Sequence, residues 1–134
     1  MKLDKYIAVS GFPGLFELVN TRDNGLLIKD LDTEKTRFVS TRKHQFTPLG
    51  TIAIYTYDDS TELRIIFKTM FEQKEDNPIV NFNADSSAIK AYFEKILPDY
   101  DPDRVHTSDM KKVIKWYTFL DKRGLLSFES DEEE

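Results

Sequence analysis

Cysteine is absent from this 134-residue sequence, which excludes a disulfide framework, a thiolate nucleophile and any cysteine-based metal site. Histidine is nearly absent as well. His44 and His106 stand in no metal-ligand spacing, so a zinc enzyme has no ligand set to build on. No apolar run approaches the roughly 20 residues that span a bilayer, and the opening Met-Lys-Leu-Asp-Lys-Tyr lacks the apolar stretch of a signal peptide. A soluble, cytoplasmic chain with no membrane partner is expected. Gly-rich phosphate loops and nucleophile elbows are missing too: Gly11-Phe12-Pro13-Gly14 has the wrong spacing and reads as a turn. The sequence offers no catalytic constellation. It is read as non-enzymatic, with no cofactor and no bound metal.

An excess of positive charge is also lacking. Residues 1–59 carry 8 basic and 8 acidic side chains, residues 60–128 carry 11 of each, and residues 129–134 carry 0 and 5. The net charge of −5 therefore resides entirely in the last six residues. Nucleic-acid binding would need a local basic patch, since the remainder is neutral in bulk.

What is present divides into two kinds of periodicity. Residues 6–57 read as short strands: Tyr6 to Ser10, Leu15 to Asn20, Leu26 to Asp30, Thr36 to Ser40 and Thr51 to Tyr57. Asn24-Gly25 is a strong hairpin signal between the second and third. Beyond them the period lengthens to that of helices. Leu63, Ile66, Phe67, Met70 and Phe71 make one stripe, opened by a capping box of Asp59 and Glu62. Ile89, Tyr92, Phe93, Ile96 and Leu97 make a second, after Asp85-Ser86-Ser87. Met110, Val113, Ile114, Tyr117 and Leu120 make the third, from about Asp109 to Lys122, with Thr107 and Ser108 before it and Gly124 as its stop. Residues 75–84, with Asn77-Pro78, interrupt the helical pattern. The expected fold class is α+β, a small five-stranded antiparallel SH3-like barrel packed against a three-helix C-terminal unit. Its boundaries are 1–58 for the barrel, 59–128 for the helices and 129–134 for a disordered acidic tail, with Leu125, Leu126 and Phe128 tucked back onto the core.

Several blocks together carry a resemblance. They are Lys2-Leu3-Asp4-Lys5 leading to Ser10-Gly11-Phe12-Pro13-Gly14-Leu15-Phe16-Glu17-Leu18; Ile52-Ala53-Ile54-Tyr55-Thr56; and Leu97-Pro98-Asp99-Tyr100-Asp101-Pro102-Asp103-Arg104-Val105, continuing through Ser108-Asp109-Met110-Lys111-Lys112 to Trp116-Tyr117. Over these the chain resembles a bacterial family of small cytoplasmic proteins known only as a domain of unknown function. The resemblance implies a barrel-like first half and a helical second half. It implies no activity.

Three constellations could carry chemistry. Asp99, Asp101 and Asp103 occupy positions 1, 3 and 5 of a calcium-type loop, but Arg104 stands at position 6 where the turn needs glycine, and Met110 at position 12 where a bidentate glutamate is required. Turn and cap hydrogen bonds, with Arg104 paired to a carboxylate, account better for these residues. Secondly, Thr41-Arg42-Lys43-His44-Gln45-Phe46 is a basic loop ending in an aromatic, the kind of feature that small barrels use for peptides or RNA. Thirdly, Lys111, Lys112, Lys115 and Lys122 gather on the side of the last helix opposite its apolar stripe, with Phe119 among them. The candidate partner-binding residues are therefore Arg42, Lys43, Phe46, Lys111, Lys112, Lys115, Phe119 and Lys122. Against these stands the plainer reading of solvated lysines and aromatics that dock on the protein itself. The expected function is a protein-binding adaptor, the alternative an RNA- or DNA-binding protein using the basic loop and the basic helix side.

Overall fold

In the computed structural model, residues 3–12 and 14–126 are described. The first of two units, Lys2–Ile52, is built on hairpins. Strands β2 (Phe16–Arg22) and β3 (Gly25–Asp30) pair antiparallel up to Arg22 opposite Gly25, which leaves Asp23 and Asn24 as the two-residue turn. The expected hairpin is present, but Asn24-Gly25 is not its centre. Gly25 serves packing instead: a Cβ there would lie 2.5 Å from the ring of Phe38 on β4 (Thr36–Ser40) and closer still to the Val39 carbonyl. Between β3 and β4 the Asp30 carboxylate accepts from the N–H groups of Asp32 (2.8 Å) and Thr33 (2.9 Å), and Glu34 takes φ 62° to close the turn.

Strand β1 (Tyr6–Val9) lies between β2 and β5 (Phe46–Pro48), with Ile7 opposite both Phe16 and Pro48 and Val9 opposite Phe46. The sheet order is β4-β3-β2-β1-β5. One face buries Ile7, Val9, Phe16, Ile28 and Val39, with Phe12, Leu26 and Phe46 packed against them. On the other face Lys29 and Glu17 pair at 2.8 Å, and the carboxylate raises the Lys29 ammonium pKa above its usual value. A register shift between Leu18 and Asn20 leaves Val19 exposed.

The fifth strand is thus Phe46–Pro48, within the stretch expected to be a loop, and Thr51–Tyr57 does not complete this sheet. After Pro48 the chain makes a 3-10 turn, Leu49–Thr51. Strand β6 (Ala53–Tyr55) then pairs with β7 (Ser60–Glu62) across a tight turn in which Thr56 N–H donates to the Asp59 carbonyl at 2.9 Å. A strong β propensity makes Ala53–Tyr55 extended, yet the partner it takes is its own near neighbour. The division between units accordingly falls at Ile52/Ala53 rather than at 58/59. An antiparallel five-strand sheet plus three helices is what the chain forms; no closing β4–β5 pair is present among the described residues.

In the second unit, Ala53–Glu134, helix α1 (Leu63–Gln73) buries Leu63, Ile66, Phe67 and Met70, whereas Phe71 is 40% exposed. Its expected capping box does not form, because residues 60–62 belong to β7; Glu62 instead accepts from Arg64 at 2.7 Å. Helix α2 (Ser86–Ile96) starts as its cap residue requires. The Asp85 carboxylate accepts from the N–H of Ala88 (2.9 Å), and that bond, with a further one from the Ser87 hydroxyl, holds its pKa below the usual value. Helix α3 (Thr107–Lys122) begins two residues earlier than expected, with Asp109 accepting from the His106 N–H at 2.9 Å. All five residues of its predicted stripe are buried. Phe67 meets Tyr117 edge-on at 5.5 Å, and Phe93 meets Tyr100 at 5.6 Å, so aromatic rings join α1 to α3 and α2 to the loop after it. Residues 75–84 form neither helix nor strand, and Ile79, Val80 and Phe82 are half-buried there. The expected acidic tail, 129–134, and Phe128 lie outside the described residues. Among those described, no helix is long and apolar enough to cross a membrane.

Candidate partner-binding surfaces

The basic loop of the first unit is a wound turn rather than an open strap. Arg42 N–H donates to the Ser40 hydroxyl (3.1 Å), Lys43 and His44 N–H groups to the Ser40 carbonyl (3.3 and 3.2 Å), and Thr41 N–H to the Asn24 carbonyl (3.1 Å). Its far end is tied to β1. His44 Nδ1 donates to the Ser10 carbonyl at 2.8 Å, and Gln45 N–H to the Ser10 hydroxyl at 2.8 Å. With the backbone so occupied, the side chains of Arg42 and Lys43 project into solvent. Phe46 does not join them. It is half-buried against the sheet core, because at its register opposite Val9 it faces inward.

The aromatic beside this loop is Phe12, which sequence reasoning passed over as part of a turn. Its ring lies 4.9 Å from that of His44 and 4.8 Å from the Arg37 guanidinium. The signal was an aromatic between Gly11 and Gly14, both of which take positive φ (86° and 75°) and so curl the chain around it. Phe12 also meets Phe16 edge-on at 5.9 Å, which makes it a lid on the core as much as a surface group. Phe38, 47% exposed, is the larger apolar feature of the sheet's other face.

On α3 the lysines fall where the periodicity places them. Lys111, Lys112, Lys115 and Lys122 are exposed, and at about 100° per residue they and Phe119 share an arc of about 100°. Asp109 and Asp121 lie outside that arc. None of the four lysines is in an ion pair among the described residues, unlike Lys29 with Glu17, Arg64 with Glu62 and Arg104 with Asp101. Phe119 is half-buried, with the Arg123 guanidinium 3.6 Å over its ring and donating to its carbonyl oxygen at 3.1 Å. Lys115 stands 5.7 Å from the ring of Phe82. This side of the helix is therefore cationic from end to end, with one aromatic screened by its own arginine.

The aspartate loop makes a turn. Asp101 accepts from Asp103 N–H (2.9 Å) and pairs with Arg104 at 3.5 Å, while Asp101 N–H donates to the Tyr55 carbonyl and Tyr57 N–H to the Asp99 carbonyl. The loop thus extends the β6–β7 hairpin through a bridge between Thr56 and Tyr100. Among the described residues no group of three or more His, Cys, Asp or Glu side chains could hold a metal ion. Beside it Tyr55 and Tyr57 are 51% and 68% exposed, with Arg104 over the Tyr55 ring at 5.1 Å.

These features define a class: an α+β protein of two units, an antiparallel five-strand sheet followed by three helices, with cationic surface on one loop and one helix. The model of Domain of unknown function (DUF5606) matches residues 3–49, and that of Domain of unknown function (DUF6852) matches residues 52–120. The gap between them, residues 50–51, lies next to the structural division at Ile52/Ala53. A protein of Bacteroides vulgatus, solved by NMR in solution within a structural genomics programme, is similar at 30% identity and a TM-score of 0.74, over 94% of this chain and 90% of that one. No curated protein matches. The chain belongs to this family of small bacterial proteins of unknown function.

Proposed function

We propose that the protein is a non-enzymatic interaction module of the cytoplasm that binds another protein through the lysine side of α3. The observation that carries this reading is the arc of four exposed lysines without ion-pair partners among the described residues, set on a helix whose opposite face is wholly buried. A helix anchored so firmly presents its cations at fixed positions, which favours recognition of a complementary surface and steers the encounter. Arg42 and Lys43 supply a second cationic point on the sheet unit. That sheet is, in this reading, of the SH3-like kind, supported by the sharing of β1 between β2 and the returning β5.

The test compares the tagged wild-type chain with a Lys111→Glu, Lys112→Glu, Lys115→Glu, Lys122→Glu variant in capture from bacterial lysate, with and without nuclease. A stoichiometric protein that survives nuclease and is lost at least tenfold from the variant is the expected result. Loss of all captured material on nuclease treatment would replace this reading by nucleic-acid binding, in which case Arg42→Glu and Lys43→Glu would also flatten the salt dependence. Equal capture by both chains would overturn it.

A further inference from the structure

Strand β6 has a neighbour on both of its edges. On one side it pairs with β7. On the other the loop after α2 lies alongside, with Asp101 N–H donating to the Tyr55 carbonyl at 2.9 Å and Tyr57 N–H to the Asp99 carbonyl at 3.0 Å. The bridge between Thr56 and Tyr100 thus sets Tyr55 across from Asp101 and Tyr57 across from Asp99. Thr56 and Tyr100 are buried, so the alternation of an extended chain turns Tyr55, Tyr57 and Asp99 to the opposite, solvent face. The Cα atoms of the two tyrosines are about 7 Å apart, two residues along a strand.

Tyr55 already holds a cation. The Arg104 guanidinium lies 5.1 Å from its ring centroid and pairs with Asp101 at 3.5 Å, so the aromatic face and the carboxylate across from it are used together. Tyr57 repeats the arrangement: it stands across from Asp99 as Tyr55 does from Asp101, and no cation lies over its ring among the described residues. Its side chain is the most exposed of the large hydrophobic ones described. Asp58 and Asp59 follow it in the turn to β7, and neither they nor Asp99 is in an ion pair among the described residues. A ring whose face is electron-rich, neighboured by three exposed carboxylates, attracts a cation and repels phosphate.

We infer that this face of the β6–β7 hairpin is a docking surface for an arginine-bearing, extended segment of another polypeptide, with one guanidinium stacked on the Tyr57 ring and paired with Asp99. Charge complementarity selects a cation. The seating of Arg104 on Tyr55 selects a guanidinium over an ammonium, because a planar and weakly hydrated group can stack on a ring and present its fork to a carboxylate at once. The surface is carried by elements other than α3 and by charge of the opposite sign, so it stands or falls apart from the function proposed above. Its contacts are solvent-exposed, so the affinity is modest and falls with salt.

The experiment titrates the full chain with an acetylated, amidated peptide of alternating Gly and Arg and follows the backbone amides by NMR. The largest shifts are expected at Tyr55 to Asp59 and at Asp99 to Arg104, and the Kd is read at those amides. Tyr57→Ala is expected to weaken binding by about three- to fivefold, and Tyr57→Phe to leave it within about twofold, because the ring and not the hydroxyl makes the contact. Asp99→Asn is expected to weaken it by about twofold or more. The same peptide with Lys in place of Arg is expected to bind about threefold more weakly. Since Tyr57 lies outside the core, the Ala variant keeps its fold, which unshifted amides in the rest of its spectrum would verify. Equal affinity of Tyr57→Ala and wild type, or of the two peptides, would reduce the attraction to bulk charge and overturn the proposal. Shifts absent from these amides at millimolar peptide, or produced there by a single-stranded oligonucleotide instead, would overturn it as well.

Discussion

The sheet unit and the helical unit bury their apolar residues by different geometries. In the first, five short strands share a small core around Ile7, Val9, Phe16, Ile28 and Val39, and the far end of β2, Val19 to Arg22, is exposed. In the second, each helix turns four or five residues inward, and rings of Phe67, Phe93, Tyr100 and Tyr117 lock across the elements. Stability in the helical unit is thus concentrated in a few large side chains, whereas in the sheet unit it depends on how closely backbones and cross-strand neighbours approach.

The sharpest break of that comparison is Phe67→Ala. Phe67 is fully buried and edge-on to Tyr117, so the deletion leaves a large cavity and is expected to cost about 3–5 kcal/mol, read from the urea transition of Trp116 fluorescence. A loss under about 1 kcal/mol would show that the helical unit does not concentrate its stability in these rings.

In the sheet unit the corresponding probe adds an atom instead of removing many. Gly25→Ala places a methyl group against the Phe38 ring and the Val39 carbonyl, with an expected cost of about 1–3 kcal/mol in thermal unfolding. Phe38→Ala in the same chain should restore part of that loss, since it removes the ring but not the carbonyl. If Gly25→Ala alone is neutral, β3 and β4 are free to part at this point and close approach is not what orders the sheet.

The smallest effect concerns a polar atom inside the helical unit. The Tyr92 hydroxyl is buried with no hydrogen-bond partner among the described residues, so Tyr92→Phe is expected to be neutral or to stabilise by up to about 1 kcal/mol. It should also change the alkaline limb. Burial raises the phenol pKa of Tyr92, and burial together with the nearby Asp121 carboxylate pushes that of Tyr117 from 10.0 up to about 12. Both phenols are therefore neutral in the fold at a pH where the unfolded chain has begun to ionise. Their contribution is complete below about pH 10 and falls as pH rises toward the folded values. Tyr92→Phe should flatten that fall between pH 10 and 12, and an unchanged alkaline profile would refute the assignment.

Legibility tracked the distance between partners. The buried stripe of α3, the Asp85 cap and the Gly124 stop were all readable, because a helix writes its contacts within four residues. The first four strands were readable as well, since each lies beside its neighbour in sequence. For the candidate surfaces, the lysine arc comes from periodicity alone, while which aromatic stands beside the basic loop depends on contacts between strands. Phe46 is turned inward by its register with β1, and Phe12 is brought beside His44 by a turn more than thirty residues away in the chain.

The amino-acid sequence by itself determined the three helices, their inward faces, the neutral charge of residues 1–128 and the cationic side of α3, because each depends on spacing within a few residues. Tertiary structure decided the rest: that Phe46–Pro48 and not Thr51–Tyr57 completes the five-strand sheet, that the units divide at Ile52/Ala53, and that Gly25 is needed beneath Phe38 rather than in the turn. The physical reason is common to all three. A strand's propensity makes it extended, but its hydrogen-bond partner and its facing direction are fixed only when another strand, distant in sequence, arrives beside it.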